Sequence, residues 1–234
     1  MALVAVEHLT FRYPESAREA LRDISFSLSA GEFAVLCGPS GCGKSTLLRQ
    51  LKRAFTPHGE REGEVRWDGR PLSEVDERTQ SREIGFVGQS PDNQLVTDKV
   101  WHELAFGLES LGMDTPAIRS RVAETASFFG IQTWFDAEVA ALSGGQKQLL
   151  NLAAVMVTEP KLLLLDEPTA QLDPIAAAEF LAAVGRVNRE LGTTVLVVEH
   201  RLEDLLPYSD RLLVMEDGRL AADGTPDAVA RLLR

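Results

Sequence analysis

Two short glycine-rich strings in this sequence are built to hold phosphate. The first, Gly38-Pro39-Ser40-Gly41-Cys42-Gly43-Lys44-Ser45-Thr46, puts four residues between Gly38 and Gly43 and follows them with Lys44 and Ser45. That is the P-loop spacing. Its glycines let successive backbone N–H groups converge on β- and γ-phosphates, Lys44 adds a point charge, and the Ser45 hydroxyl is a Mg²⁺ ligand. The second string, Leu142-Ser143-Gly144-Gly145-Gln146, is a Ser-Gly-Gly turn ahead of a helix-like run, with bare N–H groups at a positive dipole end. One ATP per chain leaves this second cradle without a ligand, and a second copy of the chain would supply one.

Two carboxylates follow. Asp166 closes the run Leu162 to Leu165, and the C-terminal edge of a parallel strand is where α/β folds bind ligands. Asp166 is therefore expected to hold Mg²⁺ through water. Glu167, the next residue, is the candidate general base that polarises the water attacking the γ-phosphate.

These residues need strands and helices to position them. Val4 to Leu9 alternates loosely, and Ile24, Phe26 and Leu28 share one face of a strand over Leu21 to Leu28. Phe33 to Cys37 is an apolar strand entering the first string, with a helix over Ser45 to Arg53 behind it. Glu64 to Trp67 reads as a strand ending in the turn Asp68-Gly69, and Ile84 to Val87 as a strand entering Gly88-Gln89. From about Thr97 the pattern turns helical: Val100, Leu104, Leu108 and Leu111 have helical spacing, as do Ile118, Val122 and Ala126, with Gly112 and Gly130 as stops. Alternation then returns with strand Leu162 to Leu165, helix Ile175 to Leu191, strand Thr194 to Val198, helix Leu202 to Leu206 and strand Arg211 to Met215, before the turn Asp217-Gly218. Strands alternating with helices imply a parallel sheet. The expected architecture is an α/β P-loop core with a mostly parallel sheet, an N-terminal antiparallel portion and an inserted helical subdomain. It forms one domain over 1–234, with 1–89 and 158–234 as ATP-binding core and about 90–157 as the helical insert.

Bulk properties narrow the function. At 234 residues the chain has ample core to fold unaided. No apolar stretch approaches the roughly 20 residues that span a bilayer, and the start Met-Ala-Leu-Val-Ala-Val lacks a basic region, so it does not read as a signal peptide. A net charge of −11 argues against nucleic acid as a partner. The two cysteines, Cys37 and Cys42, fit a reduced, cytosolic protein, and Cys42 is read as a small filler of the loop.

Taken in order, the two cradles followed by Asp166-Glu167-Pro168 resemble the nucleotide-binding domain of an ABC transporter. The series Tyr13, Gly38 to Thr46, Gln89, Leu142 to Gln146, Asp166-Glu167, Leu172-Asp173 and His200 covers nearly the whole chain. The resemblance implies ATP and Mg²⁺ as cofactors and a role for each residue. The Tyr13 ring would stack on adenine. Gln89 would be a metal and water ligand, His200 would contact the γ-phosphate, and Lys44, Glu167, Gln89 and His200 would carry catalysis. Ser143, Gly144, Gly145 and Gln146 would bind the opposing subunit's ATP, helped by Asp173. The chain would then pair as a homodimer or with a second ABC ATPase. Leu149-Leu150-Asn151 stands where many relatives carry a basic residue.

After Gln89 come Ser90-Pro91-Asp92-Asn93-Gln94-Leu95. This looks like the short extra helix of energy-coupling factor (ECF) importers, and Glu199-His200-Arg201-Leu202-Glu203 fits the same group. The likeness implies that Pro91, Asp92, Gln94 and Leu95 dock a transmembrane T component through its arginines, on the cytoplasmic face of the membrane. Solute choice, vitamin or transition-metal ion, would rest with a separate substrate-binding membrane subunit. The chain is expected to lack the dimerising extension that many ECF ATPases carry after this point. An ordinary ABC importer or exporter differs only at the docking segment. A soluble ABC ATPase acting on DNA or ribosomes would bring coiled-coil arms or tandem domains, and a non-catalytic scaffold conflicts with Glu167 and His200.

Overall fold

The computed structural model describes residues 2–232. The chain opens with β1 (Ala2–Arg12), β2 (Leu21–Ser29), β3 (Phe33–Cys37) and α1 (Lys44–Gln50), then β4 (Glu60–Trp67), the short β5 (Arg70–Pro71), α2 (Glu77–Glu83) and β6 (Ile84–Val87). A helical stretch follows, with α3 (Val100–Ser110), α4 (Thr115–Phe129) and α5 (Gly144–Met156). Alternation resumes with β7 (Leu162–Asp166), α6 (Pro174–Leu191), β8 (Thr194–Val198), α7 (Leu202–Leu205), β9 (Arg211–Glu216), β10 (Arg219–Gly224) and α8 (Pro226–Leu232).

The strands form two sheets, β2-β1-β4-β5 and β10-β9-β3-β8-β7-β6. The first is antiparallel; in the second every pairing is parallel except β9 with β10. This is the α/β class expected, with its antiparallel N-terminal portion and inserted helices. The central strands are buried on both faces, as their unbroken apolar runs require. Their residues alternate between two clusters: Val35, Leu163, Leu165, Val195 and Val197 pack toward α3, α5 and α6, whereas Ala34, Leu36, Leu162, Leu164, Leu196 and Val198 pack toward α1 and the antiparallel sheet.

Register positions the chemistry. Val87 lies beside Leu165, Asp166 beside Val198, and Val198 beside Leu36. The C-terminal ends of β6, β7, β8 and β3 therefore line up along one edge. The residues that leave these ends are Gln89, Glu167, His200 and the loop from Gly38.

Some boundaries differ from expectation. The helix behind Gly43 stops at Gln50, and a 3₁₀ turn takes Arg53–Phe55. β4 begins at Glu60 rather than Glu64, because Glu60, Arg61 and Glu62 pair with Arg12, Phe11 and Thr10 through backbone while their side chains stay exposed. Polar, solvent-facing pairing leaves no hydrophobic period to read. Leu165, fully buried next to Asp166, ties the packing to the site. Leu165→Ala is expected to lower unfolding free energy by about 2–5 kcal/mol in denaturant titration, and an unchanged midpoint would contradict this packing.

Candidate functional site

The first cradle forms where β3 ends. Gly38 has φ 143 and Gly43 has φ 107. A Cβ would come within 2.1 Å of the Met215 carbonyl oxygen at Gly38 and 2.5 Å of the Ala20 carbonyl oxygen at Gly43. Only glycine lets the loop lie against both backbones. Pro39, Ser40 and Gly41 form an exposed lip, while Cys42 is buried in the core as a filler. The buried Lys44 folds back over the loop, and its Nζ donates to the carbonyls of Gly38 at 2.8 Å and Pro39 at 3.0 Å. These carbonyls hold the cation where a phosphate would otherwise meet it.

Ser45 Oγ donates to Asp166 Oδ1 at 2.6 Å, and Arg49 Nη2 lies 3.5 Å from Oδ2. Burial pushes the Asp166 carboxyl above its ordinary range; the Ser45 hydrogen bond and Arg49 pull it part of the way back, and neighbouring Glu167 raises it again. A Mg²⁺ ion fits this donor set. Two hard oxygen donors converge, one on a buried carboxylate that a cation would stabilise. Among the described residues no cluster of three or more His, Cys, Asp or Glu forms a separate cage. None is needed where phosphate oxygens complete the shell.

Glu167 takes left-handed backbone, φ 46, and its N–H donates to the Val198 carbonyl at 2.9 Å. The strained turn swings the side chain outward between two loops. Gln89 Nε2 donates to Oε2 at 3.0 Å and His200 Nε2 meets Oε1 at 3.1 Å. Three of the four predicted catalytic side chains, Gln89, Glu167 and His200, thus meet at one carboxylate, while Lys44 lies on the loop carbonyls. Behind them the buried Glu199, which sequence reasoning left without a site role, accepts from Thr169 Oγ1 at 2.6 Å through one oxygen and from the His200 N–H at 2.8 Å through the other. It fastens the turn after Glu167 to the start of the His200 loop. Its only sequence signal was adjacency to His200.

At the far end of β1, Tyr13 hydroxyl pairs with Thr46 Oγ1 at 2.9 Å, and the ring stands edge-on to Phe11 with centroids 4.9 Å apart. A cleft of about 370 Å³ lies along Tyr13, lined by Arg12, Pro14, His58 and Glu60. The second cradle opens α5. Ser143 Oγ accepts from the Gln146 N–H at 3.2 Å, and Gln146 Oε1 accepts from the Ser143 N–H at 2.9 Å. This reciprocal cap uses the Gln146 side chain and leaves the Ser143 hydroxyl proton free to donate. A Cβ on Gly145 would stand 2.9 Å from Ala176 Cβ, whereas one on Gly144 would meet nothing within 4 Å. Gly145 therefore allows α5 to approach α6, and Gly144 keeps the cradle open. Asp173, exposed beside it, caps α6 by accepting from Ile175 and Ala176 N–H groups.

The family model described as ABC transporter matches residues 21–170. The chain belongs to the ABC transporter family. It is 49% identical over 98% of its length to a Bacillus cereus protein named an ABC transporter ATP-binding protein. It spans 41–42% of the first such curated relatives. Among solved structures it is similar to cbiO1 from Clostridium perfringens, described as part of the ABC transporter complex cbiONQ, with TM-score 0.89 and 32% identity over 98% of this chain and 91% of that one. It is also similar to an ATP-binding cassette solved as a dimer in a post-hydrolysis state with ADP and Pi, with TM-score 0.80 and 25% identity over 95% of this chain and 98% of that one.

In this ABC domain the segment after Gln89 departs from one expectation. Gln94 is not a free docking contact. Its Oε1 accepts from the Gly88 N–H at 2.6 Å and Asn151 Nδ2 at 3.0 Å, and its Nε2 donates to the Phe86 carbonyl at 3.1 Å. Both ends of the amide are held inside, which also gives Asn151 a structural reason. Pro91 is buried and Leu95 packs on the core, so Asp92 is the exposed member of the four. It pairs with Lys147 of α5 at 2.6 Å.

The Asp166 environment sets a pH dependence. Its folded pKa lies above the unfolded value, so the carboxyl contributes stability when protonated, fully below the unfolded pKa, and loses it as pH rises through the folded pKa. Nucleotide-free Asp166→Asn protein should therefore melt higher than wild type at neutral pH, and the gap should shrink as pH falls toward the carboxylate range. Melting temperatures across that range check it; a gap that is absent, or that widens in acid, would contradict the burial argument.

Proposed function

We propose that this chain is the ATP-binding and ATP-hydrolysing unit of an ABC transporter, closing as a pair around two ATP molecules. The observation that carries the reading is the Glu167 carboxylate held between Gln89 and His200 beside the Ser45–Asp166 pair. A base, its two orienting partners and a metal-binding pair stand together at the end of β7.

In this reading Lys44 leaves the carbonyls of Gly38 and Pro39 for the β- and γ-phosphates, and Tyr13 stacks on adenine along its cleft. Ser45, Asp166 and Gln89 would hold Mg²⁺, which when bound would neutralise charge on the phosphate oxygens. Glu167 orients and deprotonates the attacking water, with Gln89 and His200 fixing the carboxylate so that its lone pair points at that water. His200 also reaches the γ-phosphate. Phosphate and ADP are the products. Ser143, Gly144 and Gly145 take the partner's ATP at the open N-terminus of α5, and Asp173 lies beside them. The dimeric ADP-bound relative supports this pairing. Whether the partner is a second copy or another ABC ATPase is decided by the dimerisation test below.

The transport partner we infer is a membrane T component of the ECF type, with its substrate-binding subunit, at the cytoplasmic face. Among the described residues no helix is long and apolar enough to cross a membrane, and the likeness to a part of the cbiONQ complex supports the ECF reading. A groove of about 750 Å³ lies under the 91–95 segment, between α3, α5 and β6, with Phe55 and Phe106 exposed on its rim. At its floor, burial lowers Lys52 to a pKa of about 8. A partner arginine would reach Asp92 by displacing Lys147. An exposed ion pair of this kind is worth only about 0–1 kcal/mol, so the exchange is cheap. The acidic net charge weighs against a nucleic-acid partner.

Glu167→Gln is expected to bind ATP with wild-type affinity but to hydrolyse it roughly 10²–10⁴-fold more slowly, and to elute as a dimer from a sizing column in saturating Mg-ATP. Unchanged turnover overturns the base assignment; a monomer under those conditions overturns self-pairing and points to a different ATPase partner. Asp92→Arg should abolish co-purification with the membrane subunits while leaving ATP binding intact. Unchanged assembly would overturn docking through Asp92.

A further inference from the structure

Gln148 lies on α5, beyond the cradle, and none of the roles above uses it. Its side chain is fully buried. Its Nε2 donates twice, to the Gly88 carbonyl at 3.0 Å and to the Pro168 carbonyl at 2.8 Å. Gly88 precedes Gln89, and Pro168 follows Glu167. One nitrogen therefore ties together the backbones that carry the two side chains bonded at 3.0 Å in the site. The orientation of the amide is fixed by its partners, because two carbonyl oxygens accept and cannot donate.

Three α5 side chains reach the 88–94 segment: Lys147 to Asp92, Gln148 to Gly88, and Asn151 to Gln94. Of these, only Gln148 also has a bond to the turn after β7. Its Oε1 is buried with no donor. A packing role alone would be met better by leucine or methionine, which leave no acceptor unsatisfied inside the protein. The glutamine carries an orphaned acceptor in order to donate to two carbonyls at once.

We propose that Gln148 is a positioning residue for hydrolysis: it sets the separation of Gln89 and Glu167 and links that separation to the helix whose N-terminus forms the second cradle. The proposal rests on the ATPase reading above. Loss of the clamp frees the Gly88 and Pro168 carbonyls to drift apart. Misplacement of about 1 Å between groups that must act together can cost on the order of a hundredfold in rate. Nucleotide contacts come from other residues, so affinity should not follow the rate.

The test compares wild type with Gln148→Met, which keeps length and volume but donates nothing, and with Gln148→Leu as a second buried apolar replacement. Three measurements are made: ATP turnover, the Kd for a fluorescent ATP analogue, and amide hydrogen exchange over 88–90 and 167–170. The expected result is kcat reduced roughly ten- to a hundredfold, with KM and Kd within about twofold, and exchange rising in both segments together. A kcat within about twofold of wild type, or an affinity and melting temperature that fall in step with kcat in both variants, overturns the proposal. So does faster exchange in one segment only. If wild type itself does not hydrolyse ATP, the ATPase reading fails, and the exchange measurement still decides the clamp.

Discussion

The bond network around Glu167 depends on the parallel register of β6, β7, β8 and β3. Each of these strands ends at the same level, since Val87 sits beside Leu165, Asp166 beside Val198, and Val198 beside Leu36. A slip of one residue would exchange the two faces of a strand and move its exit by about 3.3 Å. The apolar clusters on both faces resist that slip, because every residue from Leu162 to Leu165 is buried. The backbone then adds a local constraint: the Glu167 N–H bonds to Val198 while Glu167 itself adopts φ 46. A left-handed glutamate is unfavourable, and the strand pairing on its N-terminal side holds it there. The chemistry of the site is thus a consequence of sheet packing that contains no catalytic residue.

Charge is handled in the same economical way before any ligand arrives. Asp166 is buried at a cost that Ser45 and Arg49 offset only in part, so its carboxyl remains easier to protonate than usual. Lys44 is buried too, and its ammonium rests on two loop carbonyls. A phosphate group and its cation would give each of these groups the opposite charge it lacks. Buried charge without a full partner destabilises a fold, and Lys44 and Asp166 are both groups that a nucleotide and its metal ion would neutralise.

Much of this was legible in the sequence, because the relevant signals are local. The apolar strands, the glycine spacing of the first cradle and the order of the motifs are properties of neighbouring residues. Gly112 and Gly130 stand just past α3 and α4 as expected. What was not legible depends on partners distant in the chain. The start of β4, α2 and β10 present polar or exposed surfaces with little hydrophobic period. In the sequence Gln94 reads as a docking contact, and Gln148 and Glu199, polar residues next to functional motifs, have no assigned role. Their actual partners are the Phe86, Gly88, Pro168 and His200 backbones, Asn151 and Thr169. Inward-facing polar bonds of this kind carry no periodicity. They are found only when the fold brings both ends together.

The same bonds decide which parts of the chain share their motion. The 88–94 segment is fastened to α5 at Lys147, Gln148 and Asn151, three positions on adjacent turns of one helix. The Lys147–Asp92 pair is exposed and weak, but the two amide bonds, Gln148 to the Gly88 carbonyl and Asn151 to the Gln94 side chain, are partly buried, and a buried group left unpaired costs about 1–3 kcal/mol. Parting the segment from α5 would break both. Displacing the two together leaves both bonds intact but strains the buried Gln148–Pro168 bond and the packing of α5 on β6 and α6. The exposed carboxylate of Asp92 and the open glycine at Gly144 are therefore joined through α5. Gln148 joins both to the turn that carries Glu167.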